Sequence, residues 1–254
     1  MSIALQVALV MVTILVVLLV IGAPIGVAIG MSSAVSMICM IPADVSFATS
    51  AQRIFAGSNS FSLIAIPFFI LAGNIMNNGG IATRLVNCAK VISGRMPGAL
   101  AQSNVVANML FGAISGSGAA AAAAMGGTIG PLEEKEGYDK NYSTAVNVAS
   151  APVGMLIPPS NTMIVYSSVA GSVSIAALFM AGYIPGLLWG GAVMILAGIM
   201  AKKRGYQAEQ RVPVKVALKT FWQAIPSLLL IIIVIGGILA GVFTATEGSA
   251  IAVV

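Results

Sequence analysis

The sequence contains no histidine, so nothing in it can supply a Ser-His or Cys-His nucleophile pair, a histidine metal site or a histidine proton relay. Charge is almost as scarce. Only 7% of the residues are Asp, Glu, Lys or Arg, whereas soluble domains carry ~25%. The two cysteines, Cys39 and Cys88, sit in or beside apolar segments with no metal-ligand spacing, and read as buried free thiols. Short alternating segments of the kind that build a membrane barrel are also missing. What remains is 59% hydrophobic with a mean hydropathy of +1.03. That balance predicts an all-α, polytopic transmembrane protein. The formal charge of +5 is explained by membrane topology rather than by nucleic-acid binding.

The organising stretch runs from Pro97 to Pro131. One membrane-crossing helix needs ~20 apolar residues in a row. Here two shorter apolar runs, Ala99 to Ile114 and Ala119 to Ile129, flank Ser115-Gly116-Ser117-Gly118. The pattern predicts a re-entrant hairpin with a Ser/Gly tip. The alternative is one long helix with a small-residue packing face. A second interruption lies in Tyr142–Gly171, where Pro152, Gly154, Pro158 and Pro159 fall mid-span. Adjacent prolines remove donors and clash with the preceding turn. Two half-helices are expected, Ser143 to Leu156 and Asn161 to Ala170, the second capped by Ser160-Asn161-Thr162.

Around these, crossings are expected at Ile3–Ile21, Ile25–Ile41, Ser60–Met76, Ser174–Ala201 and Pro226–Phe243. The N-terminus has no basic region before its apolar run, so it reads as a first crossing rather than a signal peptide. Ala43–Ser58, Ile81–Ser93 and Val212–Trp222 read as interfacial amphipathic segments. Leu132–Asn141, the most charged stretch, reads as a solvated loop, and the last apolar run reads as a helix cut short at Val254. With the N-terminus outside and the hairpin returning to its own side, Arg84, Lys90, Arg95, Lys135, Lys140, Lys202, Lys203, Arg204, Arg211, Lys215 and Lys219 share one side, and only Arg53 lies opposite. The positive-inside rule then places the hairpin's opening in the cytoplasm and the N-terminus in the periplasm.

Carriers hold substrate and ions between discontinuous helices, with half-helix N-termini suited to carboxylates and bare carbonyls suited to sodium. Candidate ion- and substrate-binding residues are Asn108, Ser115, Gly116, Ser117, Ser150, Pro158, Ser160, Asn161 and Thr162, with Ser115, Ser117, Ser160 and Asn161 as sodium ligands. Asn147 and Glu247 are assigned to the pathway or to structure. For Asn108, Asn147 and Ser150 an interhelical hydrogen-bonding role stands beside the site role. Among the carboxylates only Glu247 has apolar surroundings; Asp44, Glu133, Glu134, Glu136, Asp139 and Glu209 fit loops or interfaces. Without an intramembrane acid chain, sodium is favoured over protons as coupling ion. No other cofactor is expected.

At GSGAAAAAAMGGTIGP followed by EEKEGYDKNYSTAVNVASAPVGMLIPPSN, and again at Thr246-Glu247-Gly248-Ser249-Ala250, the chain resembles the N-terminal part of the large membrane subunit of tripartite ATP-independent periplasmic (TRAP) transporters. The resemblance implies one half of an inverted-repeat, elevator-type carrier in the bacterial inner membrane. It implies sodium-driven uptake of an organic acid such as a C4-dicarboxylate or sialic acid. It also implies a small membrane subunit and a soluble periplasmic substrate-binding protein as partners. The corresponding division is scaffold-like helices over 1–96, a transport half over 97–171, scaffold-like helices with a basic cytoplasmic connection over 172–245, and the start of a further helix over 246–254. Two rival classes are a non-transporting membrane scaffold or assembly subunit, and an intramembrane hydrolase acting through Ser115 or Ser117. The missing histidine weighs against the hydrolase, and the protein is expected not to be an enzyme.

Overall fold

The computed structural model describes residues 3–171, 173–206, 208 and 213–254, so Glu209, Arg211 and Val212 lie outside the described residues. Among those described there is no strand, and the protein is an all-α polytopic membrane protein. Helices Ile3–Val20, Ile175–Arg204 and Lys215–Leu239 are long and apolar enough to cross a membrane. Lys140–Leu156 and Asn161–Ala170 pass the same test together but are bent by 49° at their break.

The chain divides into two compact units, one ending at Ser60 and the other beginning at Phe61. In the first, α1 (Ile3–Val20) packs on α2 (Ile25–Ile38), which packs on α3 (Ala43–Ser58). No residue of α1 is buried, as suits a helix surrounded by lipid. On α2 the buried residues Ala28, Ser32, Ala34 and Ser36 are all small, which lets helices approach closely. Ser46 of α3 donates to the Ala34 carbonyl at 2.7 Å.

The second unit opens with a 3-10 turn, Phe61–Ile64, leading into α4 (Ala65–Asn78) and α5 (Ile81–Ser93). The expected crossing from Ser60 thus starts as a tighter coil, and Pro67 lies in the first turn of α4, where a missing N–H costs little. Then follow α6 (Ala99–Ser115), α7 (Gly118–Thr128), α8 (Gly130–Lys135), α9 (Lys140–Ser150), α10 (Val153–Leu156), α11 (Asn161–Ala170), α12 (Ile175–Arg204), α13 (Val214–Leu239) and α14 (Ala245–Val253). Nearly all of α6 is buried, because α4, α5, α7, α9, α10 and α12 all pack against it. Phe69, Leu85, Phe111, Met125, Ile129, Ile164, Phe179 and Val234 form the main apolar core.

Three expectations need correction. Of the two free thiols only Cys88 is buried; Cys39, just past the end of α2, is exposed. The basic segment and the crossing after it are one helix: α13 runs through Pro226. Proline inside an apolar helix is tolerated where neighbours and local adjustment satisfy the freed carbonyl. The charged stretch Leu132–Asn141 is not a plain solvated loop either. It contributes α8 and the start of α9, and Glu133 within it is buried to 1% exposure.

Candidate functional site

The hairpin tip is built by three short residues. Gly116 ends α6 in the left-handed region, at φ 61°, with its N–H donating to Gly112 O at 2.8 Å. Ser117 is extended, and its Oγ accepts the Ala120 N–H at 3.3 Å, capping α7. The chain then folds back along α6. Asn147 of α9 reports this, since it touches both arms: it accepts from Asn108 of α6 at 2.9 Å and donates to Ala122 O of α7 at 2.9 Å. One continuous helix is therefore ruled out.

The second break follows the same chemistry. α10 stops at Leu156, and Ile157 is extended, as the residue before a proline tends to be. Pro158 and Pro159 are both buried and have no N–H to leave unpaired. Ser160 caps α11, its Oγ accepting from Met163 N at 3.4 Å and donating to the Met155 carbonyl.

These two interruptions meet. The Asn161 amide donates to Ser115 O at 3.5 Å. A Cβ on Gly116 would stand 2.9 Å from the Asn161 carboxamide and 3.1 Å from its backbone N, so only glycine fits there. Asn161 Oδ1 is buried without a hydrogen-bond partner. The N-termini of α7 and α11, each with a serine cap, thus lie side by side at the C-terminus of α6. Ser115 and Ser117 also line a cleft of about 440 Å³ with Gly73 and Asn74 of α4.

The approach of the breaks depends on missing side chains. A Cβ on Gly112 of α6 would stand 2.5 Å from Gly154 Cα of α10. Gly182, Gly186 and Gly190 form a buried stripe on α12. A Cβ at Gly182 would lie 2.3 Å from Leu156 O, and one at Gly186 would lie 2.8 Å from Ile157 Cγ1.

The candidate residues fall into two clusters. Ser115, Gly116, Ser117, Ser160 and Asn161 gather at the junction, with Pro158 buried in the break. Asn108 lies two helical turns from Ser115, about 10 Å along α6. It belongs to a buried network in which its Nδ2 donates to Asn104 Oδ1 at 2.9 Å, to Asn147 Oδ1 at 2.9 Å and to Ser150 Oγ at 2.8 Å. An amide carries two N–H bonds, so these three acceptors share them. Thr162 belongs to neither cluster; its hydroxyl contacts Met155 Sδ at 3.8 Å. Glu247 is a cap. Its Oε2 accepts the Thr244 N–H at 2.7 Å, and Thr244 Oγ1 accepts the Glu247 N–H at 3.3 Å, a capping box that starts α14.

Reasoning from sequence missed Asn104, Asn74 and Glu133. Asn104 was within reach, since it sits four residues before Asn108 on the same helix face. Glu133 carried no such signal. Its flanking charges point to water, and only the packing of α8 against α6 and α9 buries it. At the same end, Tyr206 after α12 stacks on Tyr138, with ring centroids 4.2 Å apart, and accepts the Asp139 N–H at 2.8 Å. Arg204 pairs with Asp139 at 3.2 Å.

Comparison with known proteins points in one direction. The family model described as Tripartite ATP-independent periplasmic transporter, DctM component, matches residues 12–254. The uncharacterized protein YgiK of Salmonella typhimurium is 54% identical over 223 residues, covering 88% of this chain and 51% of that protein. The isethionate TRAP transporter permease protein DctMQ of Oleidesulfovibrio alaskensis is 43% identical, over 80% of this chain and 32% of that protein. The sialic acid TRAP transporter large permease protein SiaM of Vibrio cholerae is 40% identical, over 80% of this chain and 47% of that protein. The chain spans about half the length, or less, of these relatives.

Proposed function

We propose, from the premise that this chain belongs to the DctM component family of tripartite ATP-independent periplasmic transporters, that it supplies half of the ion and substrate site of a sodium-coupled importer of organic acids. The observation that carries this reading is the junction of the two breaks at Asn161. There the Asn161 amide N–H donates to Ser115 O while its Oδ1 is buried without a partner, and two capped helix N-termini lie adjacent. Neutral oxygens of Ser115, Ser117, Ser160 and Asn161 suit sodium. The N-terminal N–H groups of α7 and α11 suit a carboxylate or sulfonate. Relatives named for isethionate and sialic acid agree with an acidic substrate.

In this reading the hairpin opens to the cytoplasm and the N-terminus is periplasmic. Residues 97–171 travel as the transport half against scaffold helices from 1–96 and 172–245, in an elevator movement, and 246–254 begin a helix of the following repeat. A small membrane subunit and a periplasmic binding protein are the partners, and the membrane is the bacterial inner membrane. The test is sodium-dependent uptake, and sodium-dependent thermal stabilisation, of the complete permease with its partner proteins. Ser117→Ala and Asn161→Ala are expected to shift the sodium dependence while leaving the protein folded. Equal stabilisation by potassium, or an unchanged sodium response in both variants, refutes the assignment and favours a scaffold role.

A further inference from the structure

At the other end of the hairpin, away from the tip, α6, α8 and α9 line a partly open pocket of about 350 Å³ with Asn104, Glu133, Ser143 and Asn147 among its walls. Both carboxyl oxygens of Glu133 are buried there without a hydrogen-bond partner, and so are Asn104 Nδ2 and Ser143 Oγ. A buried, unpaired carboxylate costs several kcal/mol, so the site calls for one positive charge on or beside Glu133.

The donor pattern decides which charge. Asn104 Oδ1 already accepts from Asn108, which leaves the Asn104 amide N–H, a donor, to face the carboxyl group. A metal ion would be repelled by that N–H, and among the described residues no group of three or more His, Cys, Asp or Glu is placed to hold one. A proton solves the arrangement: the acid O–H donates to Ser143 Oγ while its carbonyl oxygen accepts from Asn104 Nδ2. We propose that Glu133, Asn104 and Ser143 form a proton-binding site at the base of the hairpin, where Glu133 is a neutral acid while α8 is docked and ionises when α8 loosens and water reaches its carboxyl group. Burial pushes its pKa up to about 7, opposed by loose hydrogen bonding from the Ser143 hydroxyl and the Asn104 amide, which stand near the carboxyl group without meeting strict bond geometry, and reinforced by neighbouring Glu136. Glu134, Tyr138 and Lys140 also line the pocket, and Lys140 makes no ion pair with Glu133 among the described residues. The Asn104–Asn108–Asn147 chain ties this proton to both arms of the hairpin.

Linkage sets the sign. The folded state holds this proton more tightly than the unfolded state, so the extra stability is greatest below the ordinary carboxyl pKa and is lost as pH rises through about 7. The experiment uses the complete permease in lipid nanodiscs, in sodium-free buffer, with wild type and Glu133→Gln. Gln keeps the shape and neutral hydrogen bonding of the protonated acid. Wild type is expected to lose melting temperature between about pH 5 and about pH 8, most steeply below pH 7, and the variant to lose less over the same range. An infrared carboxylic-acid band from glutamate is expected to disappear over that range in wild type and to be absent from the variant. The infrared measurement on wild type stands alone if the variant does not fold. A missing acid band at the acidic end, matching pH profiles for the two proteins, or loss of the band on adding sodium overturns the proposal. None of these readouts depends on sodium coupling at the tip.

Discussion

Replacing Gly112 with alanine tests whether the junction is held by direct backbone contact. The new methyl would lie 2.5 Å from Gly154 Cα, where an ordinary contact is about 3.5–4 Å, so α6 and α10 must separate by about 1 Å. The neighbour is backbone rather than a flexible side chain, and overpacking of this kind costs about 1–3 kcal/mol. Alanine is also the better helix former, by about 1 kcal/mol, which offsets part of the loss. A control removes that ambiguity. Gly191 lies inside α12 with open space where a methyl group would go, so Gly191→Ala keeps the propensity gain without the clash. The two variants are therefore expected to differ by about 1–3 kcal/mol. That is a gap of roughly 1–6 °C in Tm for a protein about twice this length, read by thermal unfolding of the complete permease in nanodiscs. The same separation would stretch the Asn161–Ser115 contact, already 3.5 Å long, so Gly112→Ala should also weaken stabilisation by sodium. Equal melting temperatures for the two variants would refute a tight α6–α10 crossing.

Two further outcomes follow from the polar network and the tyrosine stack. Asn108→Ala removes the shared donor of Asn104, Asn147 and Ser150, and each buried group left unpaired costs about 1–3 kcal/mol. The variant should melt earlier yet retain its sodium response, unlike Asn161→Ala; a lost sodium response would return Asn108 to the ion site. Tyr206→Phe keeps the ring stack but removes the acceptor of the Asp139 N–H, at a cost of about 0.5–1.5 kcal/mol. Arg204→Gln, whose ion pair with Asp139 is partly exposed, should change Tm less than Tyr206→Phe does, and the reverse order would show that the ion pair is the stronger fastener.

Both interruptions were legible in the sequence because their causes are local. A Ser-Gly-Ser tip can take a left-handed turn and cap the next helix at once, and a proline pair cannot stay helical. That the interruptions touch was not legible, since Asn161 and Ser115 are brought together by glycines on three helices, Gly112, Gly154 and Gly182, whose pairing is a tertiary fact. Glu133 failed for the opposite reason. Sequence reports charge, not burial, and a run with Glu133, Glu134, Lys135 and Glu136 looks wet from end to end although one helical face of it is dry. Pro226 misled as a helix start because the penalty for proline, severe in water-exposed helices, is softened where neighbouring helices compensate.

Ser117 and Ser160 make their helix ends self-sufficient, but only loosely, with cap distances of 3.3 and 3.4 Å where a strong N–H bond is nearer 2.9 Å. In the proposed carrier, an arriving anion would displace slack bonds rather than taut ones, and a departing anion would leave no naked amide behind. Grip and release there would be close to an even exchange, so that neither would have to unravel a helix.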